Sequence, residues 1–243
     1  MAEGDLVIIQ EGFDKLVPVH LAKGGAMHTH YGAFKHDDMI GRPFGSRVRS
    51  ANGRGYVEAL APTPELWSLA LSHRTQILYV ADIATVLLQL DLCPGRTVVE
   101  AGTGSGSLSA AVIEAVAPSG HLHTFEFNEH RAKAAREDFA RNGHGPSAVT
   151  VAHADVCDPS FQFAAHVPRR ADAAVFDLPS PWLVVDKARA LLRPGGRFCS
   201  FSPCIEQVQR TAEALSRARF TGTRVVETLL RAHEGGRAWC EFE

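Results

Sequence analysis

The stretch "FDLPSPW", residues 176–182, sets a carboxylate, Asp177, after the apolar run "ADAAVF" and before Pro179 and Pro181. Proline has no N–H to donate to a sheet, so the strand stops here and Asp177 sits on a stiff turn at its C-terminal end. Three more acids end apolar runs: Glu100 in "TVVEA", Glu126 in "HLHTFEF" and Asp155 in "AVTVAHAD". Between the first two, "VVEAGTGSGSLSAAV" (98–112) reads as strand, glycine turn, helix. Gly102, Gly104 and Gly106, with Ser105 and Ser107 among them, let the backbone turn tightly and approach a ligand. Ser107 stands where a dinucleotide fingerprint has its third glycine, which weighs against NAD. Glu126, about twenty residues past the turn, suits both hydroxyls of a ribose. Asp155 suits an adenine amino group, while Val156 offers its N–H. Singly these residues have plain readings as a tight turn, a surface glutamate and turn-capping aspartates. Four acids at four strand ends are hard to explain by packing. Together they predict a pocket for S-adenosylmethionine (SAM), whose sulfonium is cationic.

The pattern of elements places these residues on one edge. Residues 5–60 alternate short apolar runs with turn signals such as Gly24-Gly25 and Asn52-Gly53, which predicts a small antiparallel sheet or barrel. Pro62 and Pro64 punctuate the chain, and "TPELWSLAL" predicts a helix capped by Thr63. Beyond it helices ("ADIATVLLQLDL", "SLSAAVIEAV", "EHRAKAAREDFARN", "WLVVDKARALL") alternate with strands ("TVVEA", "HLHTFEF", "AVTVAHAD", "ADAAVFD", "GGRFCSFS"). That alternation predicts a parallel sheet covered on both faces, with ligands at the C-terminal strand edges.

Composition bounds the rest. With 243 residues, 45% hydrophobic and 21% charged, the chain has enough apolar content for a full core. No run of about 18 uncharged apolar residues occurs, and neither a secretory signal nor a membrane span is expected. Cys93, Cys157, Cys199, Cys204 and Cys240 are odd in number and lack CxxC spacing, so reduced thiols in cytosol or nucleus are expected, with Cys199 and Cys204 of "CSFSPC" buried. The net charge of −2 carries no global sign of nucleic-acid binding. Locally, Lys15, Lys23, Lys35, Arg42, Arg47, Arg49 and Arg54 face only Asp37 and Asp38, a patch suited to phosphates or a solvated β surface. His28, His30 and His36, read as lacking an acidic or thiol partner, are not expected to bind metal. Trp182 is expected to anchor its turn in the core and Tyr79 to border the acceptor pocket.

The runs "RTQILYVADIA", "VVEAGTGSGSLS", "GHLHTFEFNEHRA", "FDLPSPW" and "GGRFCSFSPCIEQVQRT" resemble the catalytic subunits of eukaryotic tRNA (adenine-58-N1)-methyltransferases. The resemblance implies an α/β fold: a Rossmann-like class I methyltransferase domain with a doubly wound, mostly parallel sheet at 63–243, preceded by a small antiparallel β domain at 1–62. It implies a SAM site built from Leu78, Gly102, Gly104, Ser105, Gly106, Ser107, Glu126, Arg131, Asp155, Val156 and Asp177, with Asp177 also the catalytic acid. It further implies a tRNA substrate, a nuclear location with the cytoplasm as the other compartment, and a heterotetramer with a non-catalytic sister subunit. Bacterial and archaeal relatives are homotetramers, so assembly from one kind of chain stays open. The rival readings are a class I methyltransferase acting on a protein or small molecule, and a non-catalytic tRNA-binding subunit of the same fold. "DLPSPW" and the basic β region weigh against the first, and the intact glycine turn, Glu126 and Asp177 against the second.

Overall fold

The computed structural model describes residues 1–12, 15–71, 77–231 and 233. Arg74, Thr75 and Gln76 of the "RTQILY" run and Cys240 lie outside the described residues.

The N-terminal turn signals yield β1 (Leu6–Glu11), β2 (Lys15–His20), β3 (Ala26–Thr29), β4 (Gly32–Lys35), β5 (Ser46–Arg49) and β6 (Tyr56–Leu60). Four of them pair antiparallel in the order β2-β1-β6-β5, and β3-β4 form a separate hairpin. Successive side chains of a strand point to opposite faces. Val7 and Ile9 accordingly pack with Leu21, Phe34, Met39, Val48 and Val57, whereas Leu6 and Ile8 face Trp67, Ala70, Leu71 and Ala110.

The second part begins with α1 (Pro64–Ala70), where Pro64 opens the helix and the Thr63 hydroxyl accepts from Leu66 N–H at 3.3 Å. There follow α2 (Val80–Leu90), β7 (Thr97–Ala101), α3 (Ser107–Val116), β8 (His121–Glu126), α4 (Glu129–Arg141), β9 (Val149–His153), β10 (Ala171–Asp177), α5 (Val185–Leu191), β11 (Leu192–Phe201) and α6 (Ile205–Arg217). The five strands are all parallel, in the order β11-β10-β7-β8-β9. Alternation again divides the core. Val98, Leu122, Ala173 and Val175 pack under α2, α3 and α4, while Val99, Phe125, Ala174 and Phe176 pack under α5 and the 156–167 loop. Strand order reverses around β7, so the crevice past its C-terminal end is the ligand position of this architecture.

Three local expectations need correction. "WLVVDKARALL" does not start as an α-helix: Pro181–Val184 form a 3-10 turn, closed by Leu183 N–H donating to Ser180 carbonyl at 3.1 Å, before α5 begins. Pro181 keeps Ser180 out of the helical region, at φ −136° and ψ 64°, so the chain enters through a tight first turn. Cys204 is exposed, because it is the N-cap of α6, and of this pair only Cys199 is largely enclosed. His30 does have an acidic partner: its Nδ1 lies 2.9 Å from buried Glu11, whose other oxygen meets Lys15 at 2.5 Å. Among the described residues no group of His, Cys, Asp or Glu is arranged to hold a metal, and no helix is long and apolar enough to cross a membrane.

Candidate active site

Asp177 is the last residue of β10, and its backbone is wedged against the glycine turn that follows β7. Gly102 has φ +95°, and a Cβ placed there would sit 2.1 Å from the Asp177 carbonyl oxygen. Only glycine permits that approach. Gly106 caps α3 at φ +81°, where a Cβ would press on the Phe139 ring at 3.1 Å. Two neighbouring strand ends are thereby locked in register, one carrying the acid and the other the turn.

Glu126 ends β8 and holds the same turn from the other side. Its Oε2 accepts from Gly104 N–H at 2.9 Å. Its Oε1 accepts from Asn128 N–H at 2.9 Å and from Arg131 Nε and Nη2 at 3.0 and 2.7 Å. Arg131 is delivered by the start of α4, whose N-cap Asn128 accepts from Arg131 N–H at 3.0 Å. The carboxylate is buried and already oriented, and Oε2, with a single donor among the described residues, retains capacity for a ligand hydroxyl.

The remaining positions divide by what they touch. Leu78 buries its side chain in the core and presents its carbonyl oxygen, which accepts from Ser107 Oγ at 2.9 Å. Ser107 Oγ also lies 2.7 Å from Ser68 Oγ of α1. The serine expected to touch a ligand thus spends its hydroxyl on the scaffold. Ser105 is buried within the turn. Asp155 lies two residues beyond β9 on an exposed turn, where one carboxylate oxygen accepts from Cys157 N–H at 2.8 Å. Its second oxygen and the Val156 N–H have no partner among the described residues.

Glu100 departs from the expectation that all four acids open onto the edge. It is 1% exposed, one residue inside the end of β7, with Oε2 accepting from Ser109 Oγ at 2.5 Å and Oε1 without a hydrogen-bond partner among the described residues. Burial pushes its carboxyl up to about 7, against the Ser109 and Thr124 hydroxyls and with the negative charges of Asp177 and Glu126 adding. Burial also raises the Asp177 carboxyl, to which nothing donates among the described residues. Arg131 compensates Glu126, whereas neither Glu100 nor Asp177 has a cationic partner among the described residues, and an uncompensated carboxylate at this edge suits a cationic ligand.

Several contributors carried no sequence signal, among them Ser68, Thr103, whose Oγ1 meets Thr124 Oγ1 at 2.6 Å, and Gln207, whose Nε2 donates to Pro179 carbonyl at 3.0 Å and ties α6 to the proline turn. Asn128 also went unread, although a polar residue directly before a helical run is a cap signal. Trp182 is only partly buried and lies under Arg210, whose guanidinium is 5.2 Å from its ring. Tyr79, 44% exposed, is the N-cap residue of α2. At the opposite, N-terminal edge of the sheet a cavity of about 90 Å³ is lined by Arg96, Asp172, Arg193 and Arg197. It is too small for a nucleoside and is crossed by ion pairs.

The family model for the tRNA methyltransferase complex GCD14 subunit matches residues 55–238, and a TrmI-like N-terminal model matches 1–48. Over 232 residues the chain is 42% identical to the tRNA (adenine(58)-N(1))-methyltransferase catalytic subunit trmt61a of Dictyostelium discoideum, covering 96% of this chain and 74% of that protein. It is 38% identical to the catalytic subunit TRM61 of Kluyveromyces lactis, over 97% of this chain and 62% of that one. Among solved structures, tRNA (m1A58) methyltransferase TrmI from Aquifex aeolicus superposes with a TM-score of 0.75 at 28% identity, covering 96% of this chain and 88% of that one. A protein described as a SAM-dependent O-methyltransferase from Thermotoga maritima gives 0.83 at 28% identity, covering 98% and 86%.

Proposed function

Because the chain belongs to the tRNA methyltransferase complex GCD14 subunit family, we propose that it transfers a methyl group from SAM to N1 of adenine 58 in tRNA, as the catalytic subunit of its enzyme. The observation that carries this is the wedge of Asp177 against Gly102, which holds a partly desolvated carboxylate beside the cofactor turn.

The residues fit the cofactor. The Gly102–Ser107 turn and the Leu78 carbonyl line the methionine end, Glu126, steadied by Arg131, takes a ribose hydroxyl, and Asp155 with Val156 N–H meets the adenine edge. When bound, SAM supplies a methyl group on a positively charged sulfur, which a neutral nucleophile displaces. Adenine N1 has its lone pair free at neutral pH, so no strong general base is required. Asp177 accepts a hydrogen bond from the N6 amino group of the acceptor, which orients the ring and stabilises the positive charge that the methylated ring acquires. The same bond rejects a base that lacks the N6 donor. Stiffness from Pro179, Pro181 and the Gly102 contact matters because a fixed carboxylate need not reorganise as charge develops.

The basic N-terminal stretch supports an RNA partner. Arg47 lies 4.0 Å from the Tyr56 ring centroid on the exposed face of β5 and β6, with Arg49 and Arg54 nearby in sequence and exposed. A sister subunit completing the RNA surface in a heterotetramer, and a nuclear location, belong to this same proposal.

The test is incubation of the chain, with and without a candidate partner, with unmodified tRNA and labelled SAM, followed by mapping of the methylated nucleoside. Label is expected at N1 of adenine 58, and Asp177→Ala is expected to lower turnover by about 10²–10³-fold while retaining the fold. Label on a hydroxyl oxygen, or near-normal turnover in Asp177→Ala, sinks the reading.

A further inference from the structure

Lys187 belongs to none of the motifs above. From α5 its Nζ crosses to the turn after β9 and donates to the carbonyl oxygens of Val156, at 2.9 Å, and of Asp158. The Phe161 ring lies 5.7 Å from the same nitrogen. Among the described residues that turn is otherwise closed by its own short-range bonds: Cys157 N–H to Asp155 Oδ1 at 2.8 Å, Asp158 N–H to Asp155 carbonyl at 3.2 Å, Ser160 N–H and Oγ to Asp158 Oδ1, both at 2.7 Å, and Phe161 N–H to Asp158 carbonyl at 3.0 Å. Val156 buries its side chain in the core, while its N–H and the second Asp155 oxygen stay unpartnered among the described residues. An N–H donor next to a carboxylate acceptor complements adenine, which offers N1 as acceptor and its N6 amino group as donor.

The lysine does what the local bonds cannot. Carbonyls drawn to one point repel each other unless a cation sits between them, and a charged donor makes a stronger bond than a neutral one. It also hangs the turn on the helix that continues directly from the Asp177 proline turn, since Pro181–Val184 run into α5. One side chain therefore ties the nucleoside end of the cofactor site to the element bearing the acid.

We propose that Lys187 is a positioning residue for adenine recognition in the cofactor site, holding the 155–158 turn so that Asp155 and Val156 meet the base edge together. This rests on the assignment of those two residues to the cofactor's adenine. Calorimetric titration of the full chain with S-adenosylhomocysteine and with S-inosylhomocysteine, which reverses the donor and acceptor at the base edge, tests it without any RNA. Lys187→Met is expected to weaken S-adenosylhomocysteine about tenfold and S-inosylhomocysteine hardly at all, so that discrimination between them shrinks. Lys187→Arg, able to donate to both carbonyls, restores binding to within about threefold. In turnover, Lys187→Met raises KM for SAM and leaves kcat and KM for tRNA in place. Equal weakening of both ligands, unchanged binding of S-adenosylhomocysteine, or a fall in kcat at unchanged KM for SAM overturns the proposal. Should Lys187→Met fail to fold, Lys187→Gln, whose amide donors are neutral, is expected to show an intermediate loss, and wild-type discrimination in that variant is equally fatal. A wild-type chain that binds neither ligand overturns the cofactor assignment itself, whereas intact wild-type binding with an indifferent Lys187 overturns only this inference.

Discussion

Gly102→Ala tests whether the site is held together by contact between two strand ends. The added Cβ would lie 2.1 Å from the Asp177 carbonyl oxygen and 3.1 Å from its carbonyl carbon. Ordinary carbon–oxygen packing needs more than an additional ångström, so either the glycine turn or the Asp177 backbone must move by about 1 Å, a displacement able to cost about 10²-fold in rate. The backbone adds its own cost, because an L-residue at φ +95° loses about 1–2 kcal/mol. Overpacking adds about 1–3 kcal/mol more. Gly143 is the matched control, with φ +83° and no atom within 4 Å of a Cβ. Gly143→Ala is expected to lose about 1–2 kcal/mol of stability with kcat unchanged, and Gly102→Ala about 2–5 kcal/mol with kcat down about 10²-fold. Melting temperature and steady-state kinetics on tRNA at saturating SAM measure both. A folded Gly102→Ala protein whose kcat stays within about threefold of wild type, or whose only defect is a higher KM for SAM, refutes the idea that this contact positions the acid.

Two further perturbations separate charge from architecture. Glu100, raised from 4.5 to about 7 by burial, holds its proton in the folded chain over a range where the unfolded chain has lost it. Its contribution is complete below about pH 4.5 and is lost as pH rises through 7, amounting to about 3 kcal/mol. Melting curves from pH 4.5 to 8 are therefore expected to fall less steeply for Glu100→Gln than for wild type, and parallel curves would show that the carboxyl is not proton-linked to folding. At the other edge of the sheet, burial pushes the Asp172 carboxyl up, but Thr97 N–H, Arg193 and Arg96 outweigh it and leave it below the usual range. Asp172→Asn is expected to cost about 1–3 kcal/mol at pH 7, a penalty that shrinks as pH falls below the carboxyl's ordinary value, with kcat unchanged. A loss of turnover without loss of stability would mean that this network serves the chemistry.

The sequence was informative wherever a signal is local. α3 occupies "SLSAAVIEAV" as its glycine start and apolar run require, Thr63 caps α1, and the five strands fall on the five apolar runs. Expectations failed where two local rules compete or where partners are distant. Pro181 suits a helix start, yet Pro179 and Pro181 also stiffen the preceding turn, and a 3-10 turn resulted. Cys204 follows an apolar strand, but Gln207 three residues on made it a helix cap facing outward, its N–H reaching the Gln207 oxygen at 3.3 Å. Glu11 and His30, Ser68 and Ser107, Lys187 and Val156, and Gly102 and Asp177 each meet across long stretches of chain. Nothing in residue spacing encodes such meetings. They exist only once the sheets have formed and brought those segments together.

The hydroxyl link from Ser68 through Ser107 to Leu78 has a bearing on how this protein is divisible. α1, packed by Trp67 and Ala70 against Leu6 and Ile8, is at once the floor of the amino-terminal sheet and the prop of the donor loop. Pulling the front of the chain away would unseat the very turn proposed to grip methionine. Exchanging that front part between relatives is thus a way of retuning affinity for the methyl source, even though none of the exchanged atoms need touch it.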